Sequence, residues 1–373
     1  MKIAVIGWEL PPAFSGGLGI HTLNLFTQIS DYADVEIYVP SFRGLKPAAY
    51  PFNVIPVPIE HGISGNPYEI VSFPDFYESV LSYNEQVVKT FNPEKVDIIH
   101  CHDWITYLSG LQLSRMYHIP LVVTVHSTEF DRSAYFNPQQ RIIDIERRGV
   151  IGADRVIAVS NYTKDIIVKE YGCDPGKIRV VYNGVNRDYY ISSDKNYELM
   201  NRILYFGRLT SQKGGKFFIE VASKVLRVQK DTVFSVVGTG EQLFEMQNMT
   251  NELGIGDHVK FEGFVNFEES AKYYRDSDIF VLPAVSEPFG MTVLESLISG
   301  TPVVISKTTG VGEALRNVLK ADYWDTDLFS EYIIYLMKYR SMRSIIGTLG
   351  QIEASRFTWT RAAIQTLGVY MSL

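Results

Sequence analysis

The chain has 373 residues, a formal net charge of −7, 46% hydrophobic and 13% aromatic residues, and two cysteines. That length suits two domains that each bury a core, and the composition excludes a disordered chain. With neither half basic, nucleic acid and anionic membrane surfaces are not expected as main partners, and two thiols make no disulfide framework.

The first residues, Met1 to Gly7, open directly on a strand without the layout of a secretory leader, so a cytoplasmic location is expected. No uninterrupted apolar run of about 18 residues predicts a membrane-spanning helix. Short β-branched runs, each followed by a helical stretch, predict strands at Ile3–Ile6, Val35–Val39, Val54–Val57, Ile98–His100, Leu121–Val125, Val156–Val159 and Arg179–Tyr182. After a polar break from Asp188 to Asn201, read as the linker, the rhythm resumes at Ile203–Phe206, Val233–Val237, Val259–Phe261, Ile279–Leu282 and Val303–Ile305. Continuous apolar strands alternating with helices predict parallel sheets in α/β layers, one in each of two Rossmann-like domains. Leu328–Ile352 has the apolar spacing of a helix, and a turn at Phe357-Thr358-Trp359 precedes a last apolar helix. In parallel sheets ligands bind beyond the carboxyl ends of strands, so residues there are the first candidates.

Gly16-Gly17-Leu18-Gly19 follows the first strand, where glycines allow either close backbone approach to a ligand or a tight strand-to-helix turn. His100-Cys101-His102-Asp103-Trp104 closes the Ile98 strand. No second Cys/His cluster completes a zinc site, so His102 and Asp103 read as a polar cluster facing a ligand, a candidate for acceptor or sugar contact. His126 ends the next strand in the same way. Arg208 and Lys213 lie on one glycine-flanked loop after the strand ending at Phe206. Two fixed cations there suit a diphosphate, with Arg able to bind it in bidentate fashion. Val237-Gly238-Thr239-Gly240 ends another strand in glycines, which either admit a flat base or turn the chain. In Pro283–Leu297, a loop carries Glu287, a helix begins near Gly290–Met291, and Glu295 follows about one turn in. The helix N-terminus offers N–H groups to phosphate and the carboxylates offer acceptors to sugar hydroxyls. Asp276-Ser277-Asp278 imitates an Asp-x-Asp metal motif but precedes a strand, at the wrong end for a ligand, and reads as a connection. No metal site is expected.

Glu287-x7-Glu295 with Pro-Phe-Gly inside it, followed by Gly300-Thr301-Pro302-Val303-Val304, resembles the signature of retaining glycosyltransferases of the GT-B fold, in particular glycosyltransferase family 4. Gly207-Arg208-Leu209 with Lys213-Gly214, Asn183-Gly184-Val185 and Gly16-Gly17 extend the match over nearly the whole chain. Asp97-Ile98-Ile99-His100 and His102-Asp103-Trp104 also resemble starch and glycogen synthases. The resemblance implies two Rossmann-like domains facing a central cleft: an acceptor domain over 1–188, joined by the C-terminal helix 358–373, and a nucleotide-sugar domain over 189–357. It implies Glu287, His126, Arg208 and Lys213 as the catalytic set. Donor contacts are implied at Gly16, Gly17, Asn183, Gly184 and Gly238, at the base-binding edge Phe264 and Val265, and at Phe289, Gly290, Met291 and Thr292. Glu295 is implied to hold the ribose. The implied reaction transfers a hexose, with glucose favoured, from a nucleoside diphosphate sugar (UDP- or ADP-glucose) to a carbohydrate or small-molecule acceptor, an α-glucan being one lead. The anomeric configuration is retained and no metal cofactor is needed. Phe14 stands where bacterial and plant glycogen synthases carry a Lys in the first loop, a departure from the ADP-glucose glycogen synthase pattern. The competing expectations are a nucleotide-sugar epimerase of the same fold and an inactive nucleotide-sugar-binding regulator. An epimerase would release free sugar and nucleotide without an acceptor.

Overall fold

The structure is a computed structural model that describes residues 1–12, 16–41, 49–59, 73–191 and 200–373. Phe14 and most of the expected linker lie outside these residues.

The first sheet has strands β1 (Lys2–Ile6), β2 (Asp34–Pro40), β3 (Asn53–Val57), β4 (Ile98–His102), β5 (Leu121–Val125), β6 (Arg155–Ala158) and β7 (Ile178–Val180). The second has β8 (Arg202–Phe206), β9 (Val233–Val237), β10 (Val259–Gly263), β11 (Ile279–Leu282), β12 (Val303–Ser306) and β13 (Leu319–Ala321). Every pairing among the described residues is parallel, in the orders β3-β2-β1-β4-β5-β6-β7 and β10-β9-β8-β11-β12-β13. Central strands such as β4 and β5 are buried along their whole length, which is why they read as unbroken apolar runs. β13 escaped the sequence reading: it is a three-residue edge strand, Leu-Lys-Ala, with no β-branched residue to mark it.

Strand order reverses between β1 and β4 in one sheet and between β8 and β11 in the other. These are the switch points at which the loops leaving adjacent strands diverge and open a crevice. The loop after β1 carries the Gly16 turn, and His102 closes β4 with Asp103 just beyond it. The loops after β8 and β11 are the Arg208/Lys213 loop and the Glu287 loop.

The chain divides into two compact units. One comprises Met1–Glu129, Pro138–Asn183 and Trp359–Leu373; the other comprises Phe130–Asn137 and Gly184–Thr358. The boundary therefore falls at Asn183/Gly184, earlier than the polar break suggested. Residues just after it are already fixed in the second unit, since Val185 N–H donates to Phe357 O at 3.0 Å and buried Tyr190 meets Ser270.

In the first unit, the helix Trp359–Tyr370 packs on the helix Gly17–Ile29. Its buried residues Trp359, Ala362, Ala363, Thr366, Leu367 and Tyr370 recur at three- and four-residue intervals, the spacing of one helical face. Thr360 Oγ1 donates to Gln28 Oε1 at 2.6 Å, and Arg155 donates to Ser372 O at 2.6 Å. In the second unit, Asp278 accepts from the N–H groups of Met200 and Arg202 and pairs with buried Arg343 at 3.6 Å. Its carboxylate is thus spent on tying a helix to β8, as its position at the amino end of β11 implied.

Candidate active site

In the first unit, Glu9 is 1% exposed and its Oε2 accepts from Gly16 N–H at 2.9 Å and Gly19 N–H at 3.0 Å. An internal carboxylate thus caps the helix Gly17–Ile29. A Cβ at Gly16 would lie 2.7 Å from that oxygen, so a glycine is required there by the cap, whereas a Cβ at Gly17 would meet nothing within 4 Å.

Alternation along β4 puts His100 and His102 on one face and Cys101 on the other, where Cys101 packs against Gly110. Burial pushes the Cys101 thiol up, away from thiolate chemistry. His100 is saturated by the Tyr370 hydroxyl at 2.6 Å and Thr124 Oγ1 at 2.7 Å. His102 Nδ1 lies 3.0 Å from His126 Nε2, and His21 Nδ1 lies 3.0 Å from Asn183 Oδ1. His102 is fully buried while His126 is half-buried, so His126 is the imidazole of this pair that faces outward. Asp103, held at φ 57°, receives the His126 N–H on Oδ1 at 2.7 Å and so fixes the backbone that presents His126.

Burial and mutual repulsion hold His21, His100 and His102 well below the usual imidazole range, and burial alone lowers His126 to about 3. All four are therefore neutral at pH 7. The nitrogens of His21, His102 and His126 lie within 4.8 Å of one another, and His21 Nε2 and His102 Nε2 have no hydrogen-bond partner. Among the described residues this trio is the group able to hold a soft divalent cation. It is not the His-Cys-His-Asp run that the sequence offered. His21 and Glu9 were missed by the sequence reading; the signal for His21 was its place one turn beyond the glycine loop, on the helical face of Gly17.

In the second unit, β8 ends at Phe206 and its loop turns back beneath itself. The buried Tyr205 hydroxyl donates to Arg208 O at 3.2 Å and Lys213 O at 3.5 Å. Val285 N–H donates to Gln212 O at 2.9 Å, tying this loop to the one after β11. Lys213 is half-buried and its Nζ pairs with Glu287, which is 6% exposed, while the Arg208 side chain is exposed. Glu287 Oε1 also receives Phe289 N–H at 3.4 Å, and its backbone bridges to Thr309. Gly290, at φ 100°, begins the helix Met291–Ile298, whose N-terminus no side chain among the described residues caps. A loop cation, a carboxylate and an uncapped helix N-terminus therefore converge at this switch point, which suits phosphate and sugar hydroxyls.

Gly238, at φ 133°, is pressed against the β8 loop, where an added Cβ would lie 1.9 Å from Gly207 O. Close loop packing alone thus requires a glycine there. Gly238 N–H donates to Gly263 O at 2.8 Å, beside Phe264, which is 69% exposed, and half-buried Val265. Glu295 stands on the fifth residue of the Met291–Ile298 helix, half-buried, with the Tyr274 hydroxyl donating to its Oε2 at 2.7 Å. Burial pushes its carboxyl up, against the opposing pull of hydrogen bonds from Tyr274 and Tyr190. These tyrosines carried no sequence signal, because they arrive from two separate helices.

Residues 15–189 match the family described as Glycosyltransferase Family 4, and residues 190–351 match Glycosyl transferases group 1. The chain belongs to the glycosyltransferases. This glycosyltransferase is 29% identical over 399 residues to an uncharacterized glycosyltransferase of Methanocaldococcus jannaschii, covering 99% of this chain and 98% of the relative. Over 336 residues it is 26% identical to the glycogen synthase of Mycobacterium tuberculosis, covering 85% of this chain and 80% of the relative. Among solved structures, sucrose-phosphate synthase from Thermosynechococcus elongatus superposes with a TM-score of 0.85 at 20% identity, covering 100% of this chain and 98% of the other. Anabaena HepE in complex with UDP-glucose superposes with a TM-score of 0.75 at 18% identity, over 100% of both chains. The likeness establishes the GT-B fold for this glycosyltransferase. No helix among its described residues is long and apolar enough to cross a membrane.

Proposed function

We propose that this glycosyltransferase is a retaining hexosyltransferase that moves glucose from a nucleoside diphosphate glucose to a carbohydrate or small-molecule acceptor, an α-glucan being the leading candidate. The observation that carries this reading is the Lys213–Glu287 pair beside the uncapped N-terminus of the helix Met291–Ile298. The HepE complex with UDP-glucose supports the donor, and the glycogen synthase relative supports glucose transfer to a glucan.

In this reading Arg208 and Lys213 hold the diphosphate with the backbone of Gly290, Met291 and Thr292. Donor entry displaces Lys213 from Glu287, freeing that carboxylate for the sugar hydroxyls. Neutral His126 faces the sugar, and Glu295 binds the ribose. Phe264 and Val265 flank the base. The C1–O bond to the departing phosphate breaks while the acceptor oxygen bonds C1 on the same face. The acceptor proton passes to the phosphate oxygen, so no protein nucleophile is needed. Arg and Lys neutralise the leaving phosphate as a divalent metal does elsewhere, so no metal cofactor is required. Cys101 and Cys173 are free and buried, which suits a reducing compartment, and we place the enzyme in the cytoplasm.

The test is incubation with UDP- or ADP-glucose labelled in the sugar, with and without glucan acceptor, and assignment of the product anomer by NMR. An α-linked product that forms only with acceptor supports the reading. A β-linked product refutes retention, and acceptor-independent release of free sugar points to an epimerase.

A further inference from the structure

Glu295 stands partly buried with two phenols against it. The Tyr274 hydroxyl donates to Oε2 at 2.7 Å. Tyr190, whose hydroxyl lies 3.3 Å from Ser270 Oγ, stands close to the same carboxylate. Tyr274 is 0% and Tyr190 1% exposed, so each hydroxyl is shut away from water and the carboxylate is the strong acceptor within its reach. The rings themselves are locked. Tyr274 stacks on Phe206, centroids 5.2 Å apart at 30°, and meets Tyr190 edge-on at 5.9 Å. Phe206 ends β8, immediately before the Arg208 loop, and Tyr190 closes the short helix Arg187–Tyr190 that opens the second unit. Three segments distant in sequence thus fix one carboxylate.

A carboxylate has about four lone-pair positions. The Tyr274 hydroxyl occupies part of that capacity and restricts the rotamer, and Tyr190 braces the Tyr274 ring, leaving acceptor positions for a vicinal diol. We infer that Tyr190 and Tyr274 are positioning residues that hold Glu295 as a fixed acceptor for the ribose 2′- and 3′-hydroxyls, and so make the site selective for ribonucleotides over deoxyribonucleotides. This inference rests on the proposed role of Glu295 in donor binding.

The test is calorimetry of UDP and ADP and of their 2′,3′-dideoxy counterparts with wild type, Tyr274→Phe and Glu295→Gln. Tyr274→Phe keeps the stacked ring and removes one hydrogen bond to a charged group. It should weaken the better-bound ribonucleotide by about tenfold or more, leave the dideoxy affinity unchanged, and raise donor KM with kcat nearly constant. If Tyr274→Phe does not fold, Tyr190→Phe is taken through the same cycle. Equal losses for ribo- and dideoxynucleotides, or no loss at all, while Glu295→Gln discriminates between them, would overturn the inference alone. A wild type that binds neither nucleotide, or a Glu295→Gln variant that binds both as wild type does, would overturn the functional reading and the inference with it.

Discussion

Four imidazoles held neutral in one unit make stability steeply dependent on acid. In the unfolded chain each titrates near 6.5, whereas His21, His100, His102 and His126 are all depressed in the fold. A base with a lowered folded pKa contributes stability that is present above the unfolded value. That stability is lost as pH falls from about 6.5 toward the folded values, because only the unfolded chain takes up the proton. One unit below the unfolded pKa, each group costs about 1.4 kcal/mol, so the four together cost roughly 5–6 kcal/mol at pH 5.5. That is a large share of a typical net stability of about 5–15 kcal/mol. Glu295, whose carboxyl is raised, acts in the opposite sense, but it is one group against four.

The assay is urea unfolding at pH 7.5, 6.5 and 5.5, followed by the fluorescence of the four tryptophans. The midpoint should fall sharply between the last two. His21→Gln removes one of the four titrating groups and should reduce the pH slope by about a quarter. A midpoint unchanged between pH 7.5 and 5.5, or an unaltered slope in His21→Gln, would refute the reasoning.

The remaining predictions concern transfer. Arg208→Ala and Lys213→Ala should each lower kcat/KM by about 10²-fold or more, measured with saturating acceptor, since each removes charge that stabilises the leaving phosphate. Near-wild-type values in both would sink the diphosphate assignment. Activity should survive EDTA; complete loss restored by Mn²⁺ or Mg²⁺ would show that a metal is needed after all. Glu287→Gln should retain binding of the free nucleoside diphosphate and lose most turnover, whereas Glu295→Gln should mainly raise donor KM. Calorimetry paired with initial rates separates the two, and reversed behaviour would exchange their roles.

The parallel sheets were legible because buried central strands must be apolar throughout, and β4, β5, β8 and β11 are so marked. The positions of Arg208, Lys213 and Glu287 in loops after strands, and of Glu295 on the helix that follows, came from the same rhythm. Pairing was not legible. Nothing in the spacing says that Lys213 reaches Glu287, 74 residues on, or that Tyr274 and Tyr190 converge on Glu295. Gly16 shows the limit in the other direction. Its loop reads equally as ligand cradle or turn, and only the fold reveals that Glu9 lies against it. Residues 130–137 belong to the second unit although the segment before them, through Glu129, belongs to the first, and the side chain of Ser286 bonds Asp131 across 155 positions of sequence.

Glu9, Asp103, Asp131 and Glu287 share one device. Each is an acidic side chain in or beside a strand-end loop, and each spends its acceptor capacity on that loop or on a neighbouring one. Glu9 takes Gly16 and Gly19 N–H, Asp103 takes His126 N–H, Asp131 takes the Ser286 hydroxyl, and Glu287 takes Phe289 N–H and Lys213. A loop must stay at the surface to meet a ligand, yet its exposed backbone has few apolar contacts to hold it still. Charge-assisted bonds from buried or half-buried carboxylates fix such loops without covering them, since one side chain satisfies backbone groups that would otherwise need water. Catalysis that relies on preorganised cations, amides and a neutral imidazole requires this rigidity before the ligand arrives, because dipoles that must reorient during reaction lose much of their effect. Of the four, Glu287 is bound to Lys213, a group that the donor would also claim in the proposed reading. Release of Lys213 is therefore the rearrangement that the proposed reading requires of these loops.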